Sequence, residues 1–97
     1  MTRRTKIVAT IGPASQDEET IHNLLHAGMD IVRLNFSHGS HEVHAAVYQR
    51  LRNAAKEHGK SIAIFQDLQG PKIRTGEIEN GQVEILRDQK LILTVKM

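Results

Sequence analysis

Three polar side chains alternate along the segment R-L-N-F-S-H-G, which spans residues 33–39 and continues a β-branched run. Because residues two apart in an extended chain share a face, Arg33, Asn35 and Ser37 project to the same side. A guanidinium group is a planar fork that suits a phosphate or a carboxylate. The amide and the hydroxyl add neutral oxygens. Such a combination packs poorly in a core, so it predicts a site for an anion together with a hard cation.

Two other segments end predicted strands and are expected to meet this one. They are T-I-G-P at 10–13 and the segment 67–74, which begins with Asp67. In parallel α/β architectures, ligands gather at the carboxyl ends of the strands. The Asp67 carboxylate would add a charged oxygen to the amide and hydroxyl oxygens. Oxygen-only ligands suit alkali or alkaline-earth ions rather than zinc or copper.

Each of these residues also has a structural interpretation. Arg33 could form a structural ion pair with Asp30 or Asp67. Asn35 and Ser37 could satisfy backbone groups in a strand-to-helix turn, which both residue types favour. Asp67 could cap the turn that follows it. From the residues alone, the sequence supports an anion-binding α/β domain and leaves these alternatives open.

The six histidines give no metal signal in the sequence. His41 and His44 have the i, i+3 spacing of neighbours on a helix, but no third ligand accompanies them. His38 is expected in an exposed loop. His41 and His44 are expected on a solvated helix face, and so are the remaining three histidines, His22, His26 and His58.

The elements that must position these residues follow the order strand, helix, strand, helix, strand. Short β-branched runs alternate with amphipathic segments, and the connections are only a few residues long. This order predicts parallel strands joined by right-handed crossovers. Ser15 and Glu18 fit a capping box, and Gly28, Ser40 and Gly59 suit helix ends. The predicted strands are Lys6–Ile11, Met29–Phe36 and Ser61–Asp67, and the predicted helices are 16–27 and His41–His58.

The character of the sequence changes after Gly70-Pro71, which predicts a domain boundary with residues 1–69 on one side and 70–97 on the other. Short alternating segments follow, and the Asn80-Gly81 pair between the first two is a strong hairpin signal. Asp88-Gln89 separates the second segment from the third. Antiparallel β-structure is therefore expected for the segments Lys72–Ile78, Gln82–Leu86 and Lys90–Lys96.

Composition excludes several classes of protein. The 97 residues carry 13 basic and 11 acidic side chains, and the three aromatic residues are not grouped, so a nucleic-acid interface is not expected. The absence of cysteine excludes disulfides and thiolate metal sites. No segment has the length of a membrane span or the pattern of a signal peptide. A cytoplasmic protein without a membrane partner is the resulting expectation.

Three blocks of the sequence resemble the opening of the pyruvate kinase family. They are T-K-I-V-A-T-I-G-P-A-S at 5–15, G-M-D-I-V-R-L-N-F-S-H-G at 28–39 and D-L-Q-G-P-K-I-R-T-G at 67–76, and their order and spacing also match. The resemblance covers essentially the whole chain. It implies an α/β fold that comprises the first two βα units and third strand of a TIM barrel, followed by the start of a small antiparallel β-barrel lid domain.

The resemblance also implies an activity and a set of site residues. The family transfers the phosphoryl group of phosphoenolpyruvate to ADP, which gives pyruvate and ATP in glycolysis. Arg33 resembles the arginine that holds the phosphoryl group. The potassium ligands of the family match Asn35, Ser37, Asp67 and the backbone carbonyl of Leu68. The positions that border the nucleotide phosphates match Asn35, Phe36, Ser37, His38 and Arg74.

One residue departs from the common family pattern. Lys72 stands where many members carry glutamate, and in the family a lysine there accompanies independence from potassium. An ammonium group can supply the single positive charge that K⁺ would otherwise provide. The Lys72 ammonium is therefore expected to take the place of the K⁺ ion.

The resemblance places the catalytic lysine and the Mg²⁺ ligands of the family beyond this chain. A TIM barrel needs eight βα units, and only two and a half are expected here, with open sheet edges. We therefore expect the isolated chain to be inactive, marginally stable and prone to aggregate, and the whole enzyme to form a homotetramer. Two other interpretations remain: a non-catalytic phosphate-binding fragment, or another barrel enzyme acting on phosphoenolpyruvate or pyruvate, such as a lyase.

Overall fold

The computed structural model describes residues 3–95 and confirms the predicted order of elements. Each strand, and the first helix, begins about two residues later than the sequence pattern indicates. The elements are β1 (Val8–Ile11), α1 (Glu18–Ala27), β2 (Ile31–Asn35), α2 (His41–Glu57) and β3 (Ala63–Asp67).

The three strands form one parallel sheet in the order β1-β2-β3. Thr10 lies opposite Arg33, and Arg33 lies opposite Phe65. At the end of the sheet, Asn35 lies opposite Asp67. The parallel register therefore brings the carboxyl ends of all three strands to one edge, as the sequence predicts.

The hydrophobic core lies between the helices and a single face of the sheet. Val32 of β2 and Leu51 of α2 are both fully buried, and Ile21 of α1 packs with them. Val43, which the helical spacing places on the core side, is instead 43% exposed. The apolar stripes of both helices pack on one face of the sheet, and the second face is left uncovered among the described residues.

The second face of the sheet carries Val8, Arg33 and Phe65. Val8 is 52% exposed and Phe65 is 41% exposed, because no described element packs against them. In a closed barrel of eight strands this face lines the interior. The exposure of these apolar side chains is the physical basis for expecting low stability in the isolated chain.

The first helix has a different cap from the one predicted. The Asp17 carboxylate accepts hydrogen bonds from the backbone N–H and the hydroxyl of Thr20, each at 2.9 Å. The Ser15 hydroxyl accepts from the Gly12 N–H at 3.1 Å, and the Ser15 N–H donates to the Gly12 carbonyl. The predicted capping box of Ser15 and Glu18 is wrong, because the turn after β1 engages Ser15 and delays the helix by two residues.

The other predicted caps are confirmed. Gly28 ends α1 in the left-handed region at φ 114°, and Gly59 follows α2 at φ 61°. The Ser40 hydroxyl accepts from the Val43 N–H at 3.3 Å at the start of α2. These residues fix where each helix begins and ends relative to the functional edge of the sheet.

Asp30 anchors the segment before β1 to the start of β2. Its carboxylate accepts from the Ile7 N–H at 2.8 Å and lies 3.2 Å from the Arg3 guanidinium and 3.5 Å from the Lys60 ammonium. The Ile7 hydrogen bond, together with the charges of Arg3 and Lys60, lowers the pKa of Asp30. Asp30 is therefore committed to this contact and does not pair with Arg33.

The antiparallel strands predicted after Gly70 do not form within the described residues. The only regular element there is a 3₁₀ helix, Glu79–Gly81, closed by the Gly81 N–H donating to the Ile78 carbonyl at 2.8 Å. The predicted turn at Asn80-Gly81 is present, with φ values of 59° and 81°. A second turn joins Leu86 to Gln89.

The apolar side chains of this segment explain why the strands are missing. Ile73, Ile92 and Val95 are almost fully exposed. A small antiparallel unit needs several strands with a buried apolar face, and no such face is available to these residues. Lys96, the last residue of the third predicted segment, lies outside the described residues.

Candidate functional site

An open pocket of about 380 Å³ lies at the carboxyl edge of β2 and β3. Its lining is mainly polar, and it carries three cationic side chains against a single carboxylate. Every residue that the family resemblance brings to the site lines it except Phe36: Arg33, Asn35, Ser37, His38, Asp67, Leu68, Lys72 and Arg74.

Arg33 and Asp67 form an ion pair across the ends of β2 and β3. The guanidinium Nη2 lies 2.6 Å from Asp67 Oδ2, and Nε donates to the same oxygen at 2.8 Å. Nη1 donates to the Thr10 hydroxyl at 3.3 Å. A guanidinium group has five N–H donors, so two remain for a ligand. The ion pair thus orients the guanidinium group and leaves two of its N–H donors available to a ligand.

A hydrogen-bonded turn follows β2 and orients its polar side chains. The Asn35 Oδ1 accepts from the Ser37 N–H at 3.1 Å, and the Phe36 N–H donates to the Asp67 carbonyl at 3.0 Å. The Gln69 side-chain amide donates to the Phe36 carbonyl at 2.9 Å. The structural interpretation of Asn35 is therefore confirmed, and its amide group helps to build the wall of the pocket.

Lys72 reaches the pocket from the segment after β3. Its Nζ lies 3.1 Å from the Ser37 hydroxyl, which accepts a hydrogen bond from it. The ammonium is therefore in contact with one of the oxygens that the family resemblance assigns to a monovalent cation.

Phe36 lies on the opposite side of β2 from the pocket. Its ring stacks on His44 of α2 with centroids 4.2 Å apart. The His44 Nε2 is 2.6 Å from the His38 carbonyl, which accepts from it. Gly39 has φ 76°, and a Cβ there would lie 3.2 Å from His44 Nε2. This packing joins the turn after β2 to the first part of α2.

The sequence assigns no individual role to two contributors to the site, although both lie in the strand-end segments that it indicates. Thr10 supports Arg33, and Gln69 holds the turn after β2. Thr10 had a signal, because it begins the first strand-end segment and pairs with Arg33 in the parallel register. Gln69 had none, because its contact depends on how the chain leaves β3.

A model of the family described as "Pyruvate kinase, barrel domain" matches residues 2–97. The chain belongs to the pyruvate kinase family. The alternating Arg33, Asn35 and Ser37 and the neighbouring Asp67 are thus the strand-end residues of a pyruvate kinase barrel domain.

Individual relatives agree with this assignment. The pyruvate kinase of Geobacillus stearothermophilus is 47% identical over 95 residues, which cover 98% of this chain and 16% of that protein. The pyruvate kinase of Agrobacterium vitis is 52% identical over 89 residues, which cover 92% and 19%. A solved pyruvate kinase from Cryptosporidium parvum superposes with a TM-score of 0.72 at 44% identity, covering 80% of this chain and 16% of that one.

The chain therefore spans only 16% and 19% of the length of these two curated relatives. The matched part includes the pocket and the two helices that support it. None of the helices in residues 3–95 is long and apolar enough to cross a membrane.

Proposed function

We propose that this chain contributes the phosphate-binding edge of a pyruvate kinase, which transfers the phosphoryl group of phosphoenolpyruvate to ADP and yields pyruvate and ATP in glycolysis. The single observation that carries the proposal is the convergence of Arg33, Lys72 and Arg74 on one pocket that contains one carboxylate. Phosphoryl transfer depends mainly on positioning and charge neutralisation. An excess of positive charge at the strand ends suits that task.

Arg33 is the residue that we assign to the phosphoryl group of phosphoenolpyruvate. Asp67 holds Nε and Nη2, and Thr10 receives a bond from Nη1. The remaining N–H groups can donate to two phosphoryl oxygens in the bidentate manner of arginine. Because the guanidinium is already oriented, little side-chain entropy is lost when the anion binds.

Lys72 is assigned the role of the monovalent cation. Asn35, Ser37 and Asp67, with the Leu68 carbonyl, would hold K⁺ if it were bound, and K⁺ would supply one positive charge beside the phosphates. The contact of the Lys72 ammonium with the Ser37 hydroxyl supports replacement of the ion by this side chain. We therefore propose that the enzyme works without added K⁺.

The nucleotide phosphates are assigned to the turn after β2 and to the segment after β3. The residues are Asn35, Phe36, Ser37, His38 and Arg74. Phe36 contributes by fixing the turn, because its ring packs on His44 and both of its backbone groups are hydrogen-bonded within the protein. Mg²⁺ would neutralise phosphate charge in the assembled enzyme, and we assign its ligands and the catalytic lysine to sequence outside these 97 residues.

Family membership supports the remaining assignments. Residues 1–69 are proposed to belong to the TIM barrel, and residues 70–97 to the start of the lid domain. The exposed apolar side chains after Gly70 support this division, because they need partners that the described residues do not provide. A cytoplasmic homotetramer is proposed for the whole enzyme on family grounds alone.

A chimaera tests this function. The N-terminal segment of the Geobacillus stearothermophilus pyruvate kinase is replaced by this chain over the 95 aligned residues, and phosphoenolpyruvate-dependent ATP formation is measured. We expect an active chimaera. Arg33→Gln is expected to lower kcat/KM for phosphoenolpyruvate by about 100-fold, since it removes a charge-assisted contact to the reacting group.

Arg4→Gln is the matched control, because Arg4 is an exposed arginine outside the pocket. It is expected to leave the kinetics unchanged. A chimaera that melts like the parent enzyme but forms no ATP would contradict the proposed function. So would an Arg33→Gln variant that behaves like the control.

A further inference from the structure

Two histidine rings face each other on the outer surface of the helical layer. His22 lies in α1, and His58 is the residue that ends α2. The His22 Nδ1 and the His58 Nε2 are 2.9 Å apart, and the ring centroids are 5.0 Å apart. The rings therefore meet edge to edge, with one nitrogen of each directed at the other.

The Glu57 carboxylate lies beside the second ring nitrogen of His22. The Glu57 Oε2 lies 3.3 Å from the His22 Nε2, on the other side of the ring from His58. A neutral imidazole has one N–H and one acceptor nitrogen. The negative charge of Glu57 favours the tautomer with its hydrogen on Nε2, and the His22 Nδ1 then accepts from the His58 Nε2–H. A carboxylate in this position is the usual orienting partner of a histidine that binds a metal.

The separation of the two nitrogens matches a shared metal ion. With metal–nitrogen bonds of about 2.0–2.1 Å, two ligands at a right angle lie about 2.9 Å apart, and two at a tetrahedral angle lie about 3.4 Å apart. The observed 2.9 Å falls at the first of these values. For both lone pairs to point at one ion, both rings must rotate away from the line that joins the two nitrogens, and His58 must carry its hydrogen on Nδ1.

We propose that His22 and His58 bind a divalent late transition-metal ion, such as Ni²⁺, Cu²⁺ or Zn²⁺, with Glu57 orienting His22. Imidazole nitrogens select these ions over Mg²⁺ and Ca²⁺, which prefer oxygen. Residues 3–95 contain no group of three or more histidine, aspartate or glutamate side chains placed to hold a metal. Water therefore completes the coordination, and the affinity is that of a two-nitrogen site.

The pair His41 and His44 does not offer the same site. The His44 Nε2 is occupied by the His38 carbonyl at 2.6 Å, and its ring stacks on Phe36. The His22 and His58 nitrogens, in contrast, have only each other as partners on the facing side. The partly negative carboxyl end of α2, where His58 lies, also favours a cation.

The proposed site is separate from the pocket at the strand ends. Ser40 begins α2 beside that pocket, and His58 ends it 17 helical residues later, which corresponds to about 25 Å. A bound ion would join α1 to the end of α2 and stabilise their packing, because an ion that binds only the folded chain raises its stability. This inference does not depend on the proposed catalytic function.

Calorimetric titration of the untagged chain with NiCl₂ and ZnCl₂ tests the proposal. We expect one ion per chain and no heat from MgCl₂. His22→Gln and His58→Gln are each expected to weaken Ni²⁺ binding by at least about tenfold, and Glu57→Gln by about tenfold. His26→Gln, an exposed histidine one turn along the same helix, is the control and is expected to bind as tightly as the original chain.

Nuclear magnetic resonance provides a second readout. Paramagnetic Ni²⁺ at substoichiometric amounts is expected to broaden the ring signals of His22 and His58 before those of the other four histidines. Equal broadening of all six would overturn the proposal, as would unchanged affinity in His22→Gln and His58→Gln. The Ni²⁺ affinities of the same variants are also measured in the chimaera and compared with that of the unmodified chimaera, so that poor solubility of the isolated chain does not decide the result.

Discussion

Replacement of Lys72 by glutamate tests how the pocket obtains its monovalent charge. In the structure the Lys72 ammonium donates to the Ser37 hydroxyl at 3.1 Å, and the Asp67 carboxylate that pairs with Arg33 lines the same pocket. Lys72→Glu removes one positive charge from this position and adds one negative charge with its two carboxylate oxygens. We expect the variant of the chimaera to be weakly active without K⁺ and to recover when K⁺ is added, because the ion can then replace the ammonium.

The size of the rate reduction can be worked out from the interaction between the charge at position 72 and a charge on the bound phosphate. Two unit charges about 4 Å apart interact by about 1 kcal/mol in water and about 4 kcal/mol at the effective dielectric of a protein surface. Lys72 is exposed and the pocket is open, so solvent screening favours the lower part of this range. A loss of about 1–3 kcal/mol of transition-state stabilisation corresponds to a rate reduction of about 5-fold to 150-fold.

The assay compares kcat/KM for phosphoenolpyruvate with and without about 100 mM KCl, and tetramethylammonium chloride keeps the ionic strength constant. Lys72→Met, which is neutral, is expected to lie between lysine and glutamate. Lys56→Glu reverses a charge on the exposed side of α2 and is expected to change nothing. Strong activation of the unmodified chimaera by K⁺, or a Lys72→Glu variant indifferent to K⁺, would refute the assignment of Lys72.

Three further predictions concern stability, measured by unfolding of the chimaera. Leu51→Ala removes a fully buried side chain and is expected to destabilise by about 2–5 kcal/mol, whereas Val43→Ala at an exposed position is expected to cost much less; equal losses would contradict the described core. Asp30 has a lowered pKa, so its contribution to the free energy of unfolding is full above its ordinary pKa of 3.8 and is lost as the pH falls through the lowered pKa. The difference in urea midpoint between the original protein and Asp30→Asn should therefore shrink on acidification from about pH 6 to pH 2. A difference that stays constant would contradict a lowered pKa for Asp30. Asp17→Ala removes the hydrogen bonds to the first turn of α1 and is expected to lower the melting temperature more than Ser15→Ala does. A larger loss in Ser15→Ala would indicate that Ser15 caps the helix.

Periodicity was sufficient to predict most of the barrel segment. The alternation of β-branched runs with amphipathic helices predicts parallel strands, and a parallel register necessarily brings Asn35 and Asp67 together. The convergence of the strand-end residues on one pocket therefore follows from local patterns. Local patterns also explain the helix ends at Gly28 and Gly59, because a left-handed residue is needed there.

Features that depend on tertiary contacts were harder to predict. Ser15 and Asp17 are both good caps, and the choice between them depends on the turn that Gly12 and Ser15 form after β1. His22 and His58 are 36 residues apart and meet only because α1 packs on α2. The strands predicted after Gly70 have the right alternation, but alternation forms a sheet only where a buried face is available.

The ion pair between Arg33 and Asp67 explains why the charge of Lys72 matters for the proposed reaction. Asp67 neutralises most of the field of Arg33, because both Nε and Nη2 lie within 2.8 Å of one carboxylate oxygen. Arg33 then contributes direction and hydrogen bonds, while the attraction for a phosphate depends on the cations that have no carboxylate partner in the pocket. Among the described residues that line it, those are Lys72 and Arg74. A structural ion pair and a substrate-binding role for Arg33 are therefore compatible, provided that Lys72 or K⁺ supplies the charge that Asp67 has cancelled.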